Sequence, residues 1–240
     1  MKNTVKTLAL GALIAGGWST QASAATSVVQ LRLSPVGVGN YEFNLFDSKA
    51  EGDILSTDLG LSYVVAFNES NALIFDLELE YLGIDGDDGG EFDRTDFKFT
   101  TGFKTGIGLT PFVGYRTGSQ GDGFNDTEFA KETGFFLGAS YSLDAGDSGR
   151  LTFGAAYNFN TYEARVDDQK AGEFDSKGLS AKISYLFSNF PVFPMALNLK
   201  YQSFSEDGDF SDTQGNSFEL DYEESYFYLN ATFYLMSKAF

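Results

Sequence analysis

The residues best equipped for chemistry in this chain are its carboxylates. Asp76, Glu78 and Glu80 recur at every second position, and two acidic runs, DGDDGGEFD at 85–93 and EDGDFSD at 206–212, gather more of them. Paired carboxylates can do acid–base work, and clustered ones take calcium or magnesium. In the first run Asp85, Asp87 and Gly90 have spacings like those of an EF-hand loop. Asp85, Asp87, Asp88 and Glu91 therefore form a weak candidate cation site. Gly89 stands at a ligand position, so a solvated acidic loop is the expected reading. No cofactor is expected beyond divalent cations at these loops. There is no histidine and no cysteine, which removes Ser-His-Asp catalysis, His- or thiolate-based metal sites and disulfides. Acids number 34 and bases 16, for a net charge of −18, so nucleic acid is not an expected partner.

The elements that must carry these carboxylates are strands. Leu55, Leu59, Leu61, Tyr63, Val65 and Phe67 alternate with polar or small residues, and Leu73, Phe75, Leu77, Leu79 and Tyr81 alternate with Asp76, Glu78 and Glu80. This period of two predicts strands at about 28–34, 54–67, 72–83, 94–104, 108–117, 129–143, 149–163, 175–187, 195–203 and 222–236. Between them, short connections alternate with longer Gly- and Asp-rich ones, among them 35–53, 84–93 and 204–221. An up-and-down antiparallel barrel in an outer membrane shows this alternation, with short turns in the periplasm and long loops outside. The expected fold is all-β: a transmembrane up-and-down barrel of about ten strands, eight or twelve being the alternatives.

Residues 1–24 read as a cleavable signal peptide. Lys2 and Lys6 precede a short apolar run at 8–18, and Ala22-Ser23-Ala24 is a small-x-small cleavage site. The run is too short for a transmembrane helix. The barrel then occupies 25–240.

The same period assigns the charges. The lumen is expected to hold the acids Asp58, Asp76, Glu78, Glu80, Asp96, Glu132 and Glu224 and the bases Arg32, Lys98, Lys104, Arg116, Arg150, Lys182 and Lys200. Lys98 and Lys104, one strand from the 76–80 acids, are their expected partners. A matched set can form a network where an unpaired charge would be costly. The remaining acid excess falls mostly on the outer loops and strand ends. Inward glycines, including Gly60, Gly102, Gly114, Gly134, Gly138 and Gly154, are expected to leave room in the bore. On the apolar face Tyr63, Tyr141 and Tyr185 fall near periplasmic strand ends, and Tyr81, Tyr115, Tyr157 and Tyr201 near outer ends. Two aromatic girdles are expected.

In this alternation, these girdles and the terminal Phe240, the chain resembles the small outer-membrane β-barrels of Gram-negative bacteria, over essentially all of 25–240. The resemblance implies a bacterial outer-membrane location, contact with outer-membrane lipid and lipopolysaccharide, and Phe240 as a signal to the barrel assembly machinery. Phe240 has the opposite parity to the run Phe227–Leu235, so a bulge or short extension is expected near the C-terminus. The barrel enzymes of this kind, omptin proteases, the barrel phospholipase and lipid A acyl-modifying enzymes, rely on a histidine absent here. The expected function is therefore a monomeric, non-enzymatic barrel with a structural or surface-interaction role. The alternative is a narrow porin-like channel for small, cationic solutes.

Overall fold

A computed structural model describes residues 25–45, 48–67, 72–86, 91–122, 127–166, 169–187, 194–211 and 217–239. Residues 1–24, expected from the sequence to be a signal peptide, and Phe240, Asp87 and Asp88 lie outside the described residues. The chain forms ten strands: β1 (Ala25–Leu45), β2 (Ser48–Phe67), β3 (Ala72–Gly86), β4 (Glu91–Lys104), β5 (Leu109–Asp122), β6 (Thr127–Asp144), β7 (Gly149–Val166), β8 (Gln169–Phe187), β9 (Met195–Ser211) and β10 (Ser217–Ala239). Each pairs antiparallel with its sequence neighbours, and β1 pairs with β10 to close the barrel. Closure leaves no free edge, so every strand's backbone groups can be satisfied within a membrane.

The strands run further than the alternation of apolar residues predicts. Over 35–53, expected as a loop, β1 continues to Leu45 and β2 starts at Ser48. The long polar connections at 84–93, 118–128, 164–174 and 204–221 are likewise mostly strand. The physical reason is that alternation reports burial, not pairing. Above the membrane both faces of a hairpin meet water, and the ladder continues without an apolar signature. In β1 the pattern also breaks locally, because the register shifts between Ser34 and Gly37. Pro35 sits in this bulge, where a residue without an N–H is tolerated, and the Ser34 hydroxyl donates to the Leu229 carbonyl at 3.1 Å. Past the bulge the inward parity changes from Arg32 and Ser34 to Gly37 and Tyr41.

A second shift lies on β10, where Val29 pairs with Met236 but Gln30 with Tyr234. Leu235 is the extra residue, and it reverses parity at the strand end as the sequence requires. At the opposite pole from the hairpins the turns are tight. Gly108, at φ 88°, lets Thr105 accept from Gly108 N–H while Thr105 N–H donates to Leu109. Such a φ favours glycine.

The outer wall is apolar. Leu59, Phe97, Phe135, Leu137, Phe159, Leu179, Leu199, Phe227 and Leu229 are all exposed. The bore is the reverse, with Asp58, Glu80, Arg94, Asp96, Arg116, Glu132 and Glu224 buried. This inversion suits a barrel whose solvent is lipid outside and whose polar groups must meet one another inside.

Candidate functional site in the barrel lumen

The inward side chains form two tiers. With both termini at the short-turn end, the lower pole is periplasmic and the upper one external. In the middle of the bore Arg32 of β1 donates through Nε to Asp58 of β2 at 3.1 Å and through Nη1 to Glu78 of β3 at 3.0 Å. Its Nη2 lies 2.7 Å from Glu80. Lys98 of β4 binds Glu78 at 3.2 Å and also Glu80, and Lys200 of β9 reaches Glu80 at 3.3 Å. The β9–β3 contact crosses the lumen. Glu78 and Glu80 are thus answered by Arg32, Lys98 and Lys200, while Asp76 makes no ion pair among the described residues.

The upper tier gathers six strands. Arg94 of β4 donates to Asp96 at 3.1 Å and binds Glu132 of β6, and its Nη1 lies 3.8 Å from Glu224 of β10. Arg116 of β5 donates to Asp96 at 2.7 Å and lies 3.4 Å from Glu132. Asn160 of β7 donates to Glu132 at 2.5 Å, and the Tyr226 hydroxyl donates to Glu224. The Phe204 ring of β9 meets both guanidinium groups, 5.7 Å from Arg94 and 5.1 Å from Arg116. Such contacts gain when desolvated. Further out, Phe174 and Glu206 are buried, and the Tyr162 hydroxyl donates to Gln120 at 3.1 Å.

Several of these residues escape the alternation argument. Arg94, Glu206, Phe204 and Phe174 lie beside or within segments read as polar loop, and Tyr162, Tyr226 and Tyr228 lie on the polar face of their strands. Their parity was the available signal once strand ends were extended. Two expected members stand apart. Arg150 is half-exposed at the periplasmic rim and pairs with Asp144 at 2.8 Å, because β7 starts there. Lys104 ends β4 opposite Ala72 and has no ion pair among the described residues. Strand position along the bore axis, invisible to parity, separates both from the 76–80 acids.

The inward glycines do not leave the room expected of them, with one exception. A Cβ on Gly114 would lie 2.1 Å from the Phe136 ring, and one on Gly138 would lie 2.6 Å from that of Phe112. The Arg32 guanidinium covers Gly60 at 2.8 Å. Only a hydrogen fits where a neighbouring strand lays a large side chain across the backbone. Gly154 differs, its nearest neighbour being 3.6 Å away.

On the outer wall the seven girdle tyrosines all hold outward positions. The Tyr81 hydroxyl donates to Asp93 at 3.3 Å near the upper end, and that of Tyr185 to Ser148 at 3.2 Å at a periplasmic turn. Tyr115 and Phe135 meet edge-on at 5.2 Å, and Tyr201 and Phe227 pack with tilted rings at 4.7 Å. At the proposed cation site, Asp85 and Glu91 are register partners at the tip of the β3–β4 hairpin. No group of three potential metal ligands occurs among the described residues.

An even, closed, antiparallel barrel with an apolar wall, aromatic borders and a polar bore is the architecture of bacterial outer-membrane β-barrels. This chain is a small ten-stranded member of that architecture, located in the outer membrane. The fold is similar to that of neisserial surface protein A, at 10% identity and a TM-score of 0.39 over 87% of this chain and 97% of that one. It is also similar to OprG from Pseudomonas aeruginosa, at 10% identity and 0.40 over 89% and 96%. The translocator domain of the autotransporter NalP from Neisseria meningitidis gives 9% and 0.44 over 97% of each chain. No protein-family model and no curated protein matches the sequence.

Proposed function

We propose that this protein is a non-enzymatic outer-membrane barrel, closed to solute flow, that displays acidic hairpins at the cell surface and acts there in structural or surface-interaction roles. The observation that carries the reading is the upper tier. Arg94, Asp96, Arg116, Glu132, Phe204 and Glu224 are each about 5% exposed or less, and together they bridge the bore. Side chains fill an eight-stranded barrel, and ten strands need only somewhat more volume. The glycine-to-bulky contacts support the same reading, since they thicken the plug. The partners proposed are the outer-membrane lipid, with lipopolysaccharide against the upper girdle, and the assembly machinery through Phe240. The acidic hairpins would attract cations diffusely, within a Debye length of about 8 Å.

A channel is the second reading, favoured by the cavity beneath the upper tier. Planar-bilayer recording decides between them. The closed barrel is expected to insert without steady ohmic conductance. Stable unitary currents, cation-selective and lost on protein denaturation, would replace the first reading with the second.

A further inference from the structure

The upper tier carries more acid than base. Among its described residues two guanidinium groups, Arg94 and Arg116, stand against four buried carboxyls, Asp96, Glu132, Glu206 and Glu224. Asp96 and Glu132 each meet both guanidinium groups. Glu224 accepts from the Tyr226 hydroxyl and lies 3.8 Å from Arg94. Glu206 of β9 is 5% exposed, yet it has no hydrogen bond or ion pair among the described residues.

Its surroundings repel charge more than they answer it. On β10 its register partner is Tyr222, and the Glu224 carboxylate acts on it. On β8 its register partner is Ser176, itself buried with a hydroxyl that has no partner. Asp175 and Lys177, on either side of Ser176, are exposed at outward positions. The Tyr162 hydroxyl of β7 is already given to Gln120. Arg94 of β4, the base acting on Glu206, is already bound to Asp96 and Glu132. Asp96 of β4, Arg116 of β5 and Glu132 of β6 complete the tier. A buried carboxyl without a counter-charge holds its proton. Glu206 stands beyond the girdle residue Tyr201, outside the membrane-spanning part of β9. There burial, and then the Glu224 carboxylate, push its carboxyl up to about 8.

We propose that Glu206 is a proton lock on the upper tier, a regulation that rests on the closed-barrel reading above. While the carboxyl holds its proton the tier seals the bore. When the proton leaves to external water, the new carboxylate repels Glu224 and loosens the tier into a path for small cations. Below, that path continues into a cavity of about 210 Å³. The closed tier keeps the proton up to about pH 8, whereas a carboxyl hydrated by opening releases it near the ordinary 4.5. Closure is therefore favoured in full below about pH 4 and loses up to about tenfold per pH unit as pH rises toward 8. Burial holds the Tyr162 hydroxyl well above the usual phenol range, so it stays protonated throughout.

The test is planar-bilayer recording of the full chain, with the external side stepped from about pH 5 to about pH 10. No steady current is expected at the acid end. Open probability should then rise by up to about tenfold per pH unit, level off above about pH 8 and fall again on return to acid. The open state should select cations. This series needs no mutation. Glu206→Gln, which fixes the neutral form, should stay closed across the range, with heat-modifiable gel migration confirming that it folds. A wild-type barrel shut at every pH, or a Glu206→Gln barrel that opens as the wild type does, would overturn the lock and leave the closed barrel standing. Steady current already present at the acid end and unchanged by pH would overturn the closed barrel and the lock with it.

Discussion

The upper and lower halves of the same bore are built from similar residue types but to different ends. In the upper tier Arg94 and Arg116 are placed against Asp96 and Glu132, and Arg94 also reaches Glu224. In the lower half Lys182 and Asp76 stand apart across open space, and Gly154 faces no side chain that would fill its room. Charge balance in a lumen therefore does not equal closure. What closes the upper half is that its pairs span the bore and carry rings between them. Phe204 lies under two guanidinium groups, and Tyr226 and Tyr228 stack at 5.8 Å beside Leu82 and Tyr41.

This contrast can be broken by mutation. Arg94→Met should cost the most, about 3–5 kcal/mol, because it strands buried carboxylates. Lys182→Met, with no ion pair to lose, should stay within about 0.5 kcal/mol. Urea titration of refolding into liposomes measures both, and equal losses would show that the two halves do not differ as described.

The wall common to both halves sets a reference for such values. Leu137 is exposed on the outer face, between Val113 and Tyr157. Leu137→Arg should destabilise by about 2–4 kcal/mol if it lies near the bilayer midplane. A neutral result in the same liposomes would place this face away from lipid.

Glycine replacement sharpens the contrast at finer scale. Gly114→Val must displace the Phe136 ring and should cost about 1–3 kcal/mol. Gly154→Ala has ordinary contact distance available and should cost under about 1 kcal/mol. Thermal unfolding in detergent separates the two, and a costly Gly154→Ala would mean that the lower bore is as tightly filled as the upper.

The smallest effect is expected at the periplasmic rim. Arg150 and Asp144 form a largely exposed pair, and Arg150→Ala should cost about 0.2–1 kcal/mol, less at high salt. A larger, salt-insensitive loss would draw Arg150 into the lumen network from which its position separates it.

Much of this architecture was legible beforehand. Ten strands, their neighbours in the sheet and the inward or outward aspect of Asp58, Glu78, Glu80, Lys98, Arg116 and Lys200 follow from a period of two, because successive side chains on a strand must point to opposite faces. The expected bulge near the C-terminus follows from the parity clash with Phe240. Strand length was not legible. Apolar alternation stops where lipid stops, while backbone pairing between Leu45 and Ser48 or between Ser211 and Ser217 does not need lipid.

By itself, the sequence determined the inward and outward faces within the apolar, alternating parts of the strands, since there both depend on chain periodicity and transfer free energy alone. Only the tertiary structure decided which inward charges meet. That choice depends on tilt, register and height along the axis, which bring Arg32 to Glu80 and Lys200 across to the same carboxylate. It also decided what the glycines are for. A hydrogen in place of a side chain reads as empty space along one strand, and becomes the seat of Phe136, Phe112 or Arg32 only when the neighbouring strand is laid beside it.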